Sequence, residues 1–307
     1  MPYLSDPNEM KAAIATFAQA SQLWLDTETA DYKSKNPRLS LIQVLIVAAD
    51  ESISPERVWV LDVLEQPAIV EEFIEGVMGN GAIAKICHNE SYDRRFLGKE
   101  RAQNLICTLK LAKAIPQHLL PVANHQLKTL VEYFAIANHP DKTEQGSDWG
   151  QRPLTPSQRQ YAQLDVVYLA QVYQQLQPLY QRSHPDPATE DIEALVLRYR
   201  QIKPKWEALN AEVKHLEARL KKAMPAQGIE EQGGITLQVS QRTIRKIGFG
   251  AIAAYAQDQN LELDFPVTLT KETMEILGTA ATELPIEEQL STLVKLREQP
   301  IAEEDLF

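Results

Sequence analysis

Four short apolar runs in the first 90 residues constrain the fold of this 307-residue chain more than any other feature. They are LWL at 23–25, LSLIQVLIV at 39–47, RVWVLDV at 57–63 and AIAKIC at 82–87. Runs of this length, rich in β-branched residues, read as buried strands rather than helices. Helical patterns are interleaved with them. One follows Asn8, a candidate cap, and another starts near Pro67 and stops at Gly79-Asn80-Gly81. A third covers about 91–98, a short strand follows at 105–106, and the remainder to about 180 reads helical. Strands first, then strand–helix alternation, then helices, predict an α/β domain with a mixed sheet.

Acidic residues stand at or within these elements. Asp26 and Glu28 lie in LWLDTETA, Asp93 in ICHNESYDRRFL, and Asp165 follows Tyr161 in YAQLDVVYL. Two residues apart on an extended segment, Asp26 and Glu28 point to one face, about 6.5 Å apart along the strand. Tyr161 and Asp165 are four apart on a helix and share a face. Asn89 and Asp93 share one at the start of another helix. Carboxylates brought together repel: at 4 Å and an effective dielectric near 20, each pair costs roughly 4 kcal/mol. A divalent cation must offset this, or the carboxyl pKa values must rise. Oxygen-only ligands suit Mg²⁺ or Mn²⁺. Two such ions side by side are the apparatus of phosphoryl transfer and nuclease chemistry.

The bulk properties set limits. The apolar fraction of 44% and charged fraction of 24% are those of a soluble globular protein. No run of eighteen apolar residues is present, so no membrane span is expected. MPYLSDPNEM lacks the basic-then-apolar pattern of a secretory leader. Cys87 and Cys107 form neither a disulfide framework nor a zinc motif and read as small buried hydrophobes, which makes a cytoplasmic location the expectation. The net charge of −11 disfavours a broad nucleic-acid-coating surface. Nucleic-acid contact should then be local, through a few basic residues near a site.

In this order and with these flanks, DTET, then HNESYD, then YAQLD resemble the three motifs of the DEDDy 3′→5′ exonucleases. The segment SDWGQRPLTPSQRQYAQLDVVYL is similar to the ribonuclease D branch. The resemblance covers roughly residues 5–180. It implies a ribonuclease H-like exonuclease fold, with a five-stranded mixed sheet flanked by helices, over residues 1–183. It also implies that Asp26, Glu28 and Asp165 hold the ion that carries the attacking water. Asp26 would bridge to a second ion, Asp93 would support that ion through water, and Tyr161 would orient the water and the scissile phosphate. With an ordinary pKa of about 10, tyrosine is a poor base near neutrality, which agrees with an orienting role. The products implied are nucleoside 5′-monophosphates, from single-stranded or frayed 3′ ends. RNA is the favoured substrate and DNA the close alternative. A non-catalytic binding module on the same fold usually lacks one or more of the carboxylates, and here none is lost.

By the same resemblance His88 and Asn89 neighbour the terminal nucleotides, and Thr29 and Gln43 are candidates to line the 3′-nucleotide pocket. The alternative for His88 is a structural hydrogen bond, and for Gln43 a polar position on a strand. Trp149 is a candidate to stack on a base or to pack beneath Arg152-Pro153-Leu154. Lys142 and Arg152 are candidates to meet phosphates, or are solvated surface.

His184 to Pro187 (HPDP) reads as a linker, and residues 188–307 as a helical-hairpin region. Trp206, Leu209, Val213, Leu216 and Leu220 step by three and four, a seam suited to a hairpin or a short coiled coil. Pro204 is expected to bend or begin that helix. A glycine loop at 228–234 precedes an alternating strand at 235–239. Two basic clusters, Lys214, Arg219, Lys221 and Lys222, then Arg242, Arg245 and Lys246, are candidates to hold a strand leading to the site, or a solvated face. The end of the chain, Glu303-Glu304-Asp305-Leu306-Phe307, resembles short tails that dock on bacterial replication proteins such as a sliding clamp.

Overall fold

The computed structural model describes residues 3–47, 51–137, 143–238, 248–262 and 265–287. Two compact units divide the chain, Met1–Trp206 and Glu207–Phe307.

The first unit is built on one mixed sheet. Its elements run β1 (Tyr3–Leu4), α1 (Pro7–Phe17), β2 (Gln22–Ala30), β3 (Arg38–Leu45), β4 (Val58–Asp62), α2 (Pro67–Phe73), β5 (Ala84–Cys87), α3 (Glu90–Phe96), β6 (Leu105–Cys107), α4 (Thr108–Ala114), α5 (Leu127–Tyr133) and α6 (Pro156–Ser183). The strand order is β1-β4-β3-β2-β5-β6. β2 is central, antiparallel to β3 and parallel to β5. The sheet has six strands rather than the expected five. The extra one, β1, pairs only Tyr3 with Val60 and Leu4 with Leu61. Two residues carry no readable period, and their pairing is fixed by tertiary contact alone.

Alternation along β2 sorts its side chains onto two faces. Leu23 and Leu25 pack on one side, where Ile42, Val44 and Leu61 meet Met10, Ile14 and Phe17 of α1 and Phe73 of α2. Trp24 turns to the other side and packs with Leu41, Leu45, Val60 and Ile86 against Ala162, Val166, Ala170 and Tyr173 of α6. Asp26 and Glu28 continue that second face, so the strand that fills the core also carries the acids. The apolar run ends at residue 25, but the strand continues to Ala30, because ladder pairing with β3 holds the polar half extended.

Local signals explain most element ends. Asp6, rather than Asn8, caps α1, accepting from the backbone N–H of Asn8 and Glu9 at 2.9 and 3.2 Å. Pro67 occupies the first turn of α2, which continues as one π-helical turn over Ile74–Met78. Thr155 and Gln158 form a reciprocal capping box that starts α6.

Segment 184–191 joins α6 to α7 (Ile192–Ala226), which runs through Pro204 as one helix and in which the division between the units falls. The second unit holds a two-strand hairpin, β7 (Glu231–Gln232) and β8 (Ile235–Thr236), then α8 (Phe249–Asp258) and α9 (Lys271–Leu277). Gly233 and Gly234 make the hairpin turn at φ 60° and 77°, values an L side chain rarely adopts. Lys214, Arg219, Lys221 and Lys222 are exposed on α7, where Lys221 lies 3.7 Å from Glu217. Val239, Arg242, Arg245, Lys246, Lys142 and the 303–307 tail lie outside the described residues. Among the described residues, no helix is long and apolar enough to cross a membrane.

Candidate active site

Sequence-distant segments meet where β2 passes under α6. Carboxylate oxygens of Asp26, Glu28 and Asp165 lie within 4.8 Å of one another. Asp26 and Glu28 come from β2, and Asp165 from the third turn of α6. Asp93, on α3, stands beside this trio rather than in it. Its Oδ1 accepts from the Thr27 hydroxyl at 2.7 Å, and it is buried. Thr27 lies between Asp26 and Glu28 on β2, so this hydrogen bond anchors Asp93 next to the trio.

The electrostatics follow from burial and crowding. Burial raises the Asp26 carboxyl well above the carboxylate range. The charges of Asp93 and Asp165 add to this, against a backbone hydrogen bond from Thr27. Glu28 is raised for the same reasons, burial first and then Asp26, Asp165 and Asp93. Asp93 rises to about 7 through burial, against the Thr27 hydrogen bond. Tyr161 is raised by burial and by Asp165, to which its phenol is hydrogen-bonded, so it stays protonated and donates.

These shifts fix the sign of a pH dependence. The folded carboxyls keep protons that the unfolded chain, at 3.8 to 4.5, has already released. In chelator, stability should therefore fall as pH rises from about 5 to 8. A divalent cation binds the ionised form, so its addition should raise the melting temperature more at pH 8 than at about pH 5.5. Melting curves with and without chelator would check this. A chelated protein that gains stability across that window would contradict the arrangement.

The carboxylates form part of the wall of a cavity of about 960 Å³. Thr29, His88, Asn89, Tyr161 and Trp149 also line it. Thr29 Oγ1 is 2.5 Å from the Tyr92 hydroxyl. His88 Nδ1 is 2.9 Å from Thr108 Oγ1, which fixes its ring at the cavity wall. Asn89 adopts φ 66°, a left-handed conformation asparagine tolerates, and turns the chain from β5 into α3.

Three candidates for substrate contact, each with an alternative reading, take other roles. Gln43 does not line the cavity. It is fully buried on β3 opposite Asp26, because a directly paired residue on an antiparallel partner points to the same, α6-covered face. Arg152 meets a carboxylate instead of a phosphate: its Nε and Nη2 each lie 2.5 Å from the Asp62 carboxylate, and Nη1 donates to the Trp149 carbonyl. Trp149 is 1% exposed, with its ring 6.1 Å from that of Tyr161, and so packs beneath the tyrosine instead of stacking on a base.

The cavity also draws in residues that no motif marks. Lys113, His125, Lys128 and Tyr32 line it. They come from separate helices and loops, and only the fold brings them to the acids. The three-carboxylate group offers hard oxygen ligands to a divalent cation, and its own repulsion favours one.

The fold thus sets, on a mixed sheet and at the wall of a cavity, an acidic group suited to a divalent cation. Residues 1–181 match the family model described as 3'-5' exonuclease, and the chain belongs to that family. It is similar to Ribonuclease D of Nitrobacter hamburgensis, 26% identical over 208 residues, covering 64% of this chain and 48% of that protein. The chain thus spans about half the length of that curated relative. It is also similar to DNA polymerase I of Aquifex aeolicus, 26% identical over 177 residues, covering 58% of this chain and 27% of that one. The crystal structure of the Aedes aegypti Nibbler EXO domain is similar at 20% identity and a TM-score of 0.49, covering 61% of this chain and 90% of that one.

Proposed function

We propose that this protein removes nucleotides from the 3′ ends of single-stranded or frayed nucleic acid, with RNA preferred, and releases nucleoside 5′-monophosphates. The observation that carries this reading is the Asp26, Glu28 and Asp165 group, with Asp93 beside it, in a cavity that also presents lysines and tyrosines. Asp26, Glu28 and Asp165 would hold the principal ion, and Asp26 with Asp93 a second. Bound there, Mg²⁺ or Mn²⁺ would lower the pKa of water and offset charge on the leaving oxygen.

The chain's own residues supply the positioning. Tyr161 donates to Asp165 and fixes that carboxylate, and its raised pKa excludes it as a base. Tyr92 and Tyr168 offer aromatic faces to bases. Lys113 and Lys128 offer charge to backbone phosphates in a chain of net charge −11. Tyr161→Phe removes one donor at the reacting centre. It should lower kcat by about 10²-fold and leave KM nearly unchanged. A mainly raised KM would mean that Tyr161 binds substrate and does not position the reaction.

The preference for RNA rests on the similarity to Ribonuclease D. The likeness to DNA polymerase I supports DNA as the second reading. Labelled single strands of each kind, with Mg²⁺ or Mn²⁺ and a chelator control, would decide between them. Faster monophosphate release from RNA is the expected result. Faster release from DNA would favour the second reading, and none from either would remove the activity.

A further inference from the structure

The apolar row of α7 has a strict heptad form. Ile192, Tyr199, Trp206, Val213 and Leu220 are seven apart. Leu195, Ile202, Leu209 and Leu216 fall three residues after the first four of them. Each of these side chains is between 38% and 64% exposed. The row is about 42 Å long at 1.5 Å per residue. A surface helix that covers a globular core follows a period of 3.6, whereas a sustained repeat of 3.5 keeps one seam facing one partner helix. In this assignment the first set occupies position a and the second position d.

The flanking charges select the partner and its direction. In a parallel pair of α7 helices, each g position meets the e position five residues further along the other helix. Arg198 would then meet Lys203 and Glu212 would meet Glu217, both like-charged, and Lys205 would meet Asn210. No opposite pair forms. In an antiparallel pair, g meets g and e meets e. With Trp206 seated against Ile202 of the partner subunit, Arg198 meets the partner's Glu212 and Asp191 meets the partner's Arg219. The two-fold axis repeats both pairs. Only Lys203 and Lys205 then face their own copies, near the axis. Lys203 already lies over the rings of Tyr199 and Trp206, at 5.6 and 5.3 Å.

We propose that α7 is a self-association surface, pairing antiparallel with α7 of a second copy of this chain through residues 192–220. The proposal is independent of the nuclease reading.

Sedimentation equilibrium of the full chain tests it. A dimer is expected. Leu209→Glu should abolish it, with helix content by circular dichroism reporting that α7 remains formed. Arg198→Glu should weaken it by about tenfold or more, and Arg198→Glu with Glu212→Arg should restore it, because two pairs change sign together. Lys205→Cys should cross-link to its own copy under mild oxidation, and Leu209→Cys, which would face the partner's Tyr199, should not. A monomer at all concentrations, a dimer indifferent to Leu209→Glu, or cross-linking through Leu209→Cys in place of Lys205→Cys would overturn the proposal.

Discussion

Asp26→Asn is expected to abolish hydrolysis and, in the presence of chelator, to raise the melting temperature. The two effects share one cause. Asp26 contributes to the three-carboxylate group and is raised by burial and by Asp93 and Asp165. An ion held there is worth several kcal/mol of transition-state stabilisation, so kcat should fall by about 10³-fold or more. The amide keeps the shape and removes a charge that repels Asp93, Asp165 and Glu28. Without metal, the variant should therefore melt several degrees higher than the parent, and added Mg²⁺ should stabilise it less. Paired melting and turnover measurements check this. A variant that keeps near-parental turnover would refute the assigned role of Asp26, and one that melts lower in chelator would refute the repulsion.

Arg152→Ala should give the largest loss of stability. Arg152 makes a bidentate pair with Asp62 and also donates to Ser40 and the Trp149 carbonyl. Tyr3 donates to the same Asp62 carboxylate at 2.5 Å. Burial alone would raise the Asp62 carboxyl, but hydrogen bonds from Arg152 and Tyr3 outweigh it and hold the group below its ordinary 3.8. The two side chains are 26% and 13% exposed, so truncating one leaves the other poorly solvated. The expected cost is about 2–4 kcal/mol, at the lower side of the range for breaking a buried pair. For a domain of this size that corresponds to roughly 2–4 °C per kcal/mol. Arg152→Lys should recover only part of the loss, because an ammonium cannot reproduce the two-pronged contact. A change under about 0.5 kcal/mol on denaturant titration would show that the network adds nothing measurable to the fold.

The acids of the site were readable where period and spacing are short. Asp26 with Glu28, and Tyr161 with Asp165, each sit on one element, so strand and helix geometry alone put them on a shared face. That these pairs meet, and that Asp93 stands beside them, came from motif resemblance and not from period. Gln43 illustrates the limit. On sequence alone its face was open, and only the β2–β3 register turned it inward under α6. Arg152 was equally ambiguous, since its partner Asp62 lies 90 residues away. Lys113, His125 and Lys128 had no local signal, because a cavity wall assembled from several elements has no period. β1 escaped for the opposite reason: it is too short to have one.

That short strand has a consequence for solution behaviour. β4 would otherwise leave the backbone donors and acceptors of Val58–Asp62 open at the rim of the sheet, a template for strand addition by other molecules. Tyr3 and Leu4 occupy part of that rim, and the Tyr3 phenol latches them to Asp62. Loosening this latch would expose a sticky margin, and the first symptom should be aggregation on concentration, before any loss of turnover.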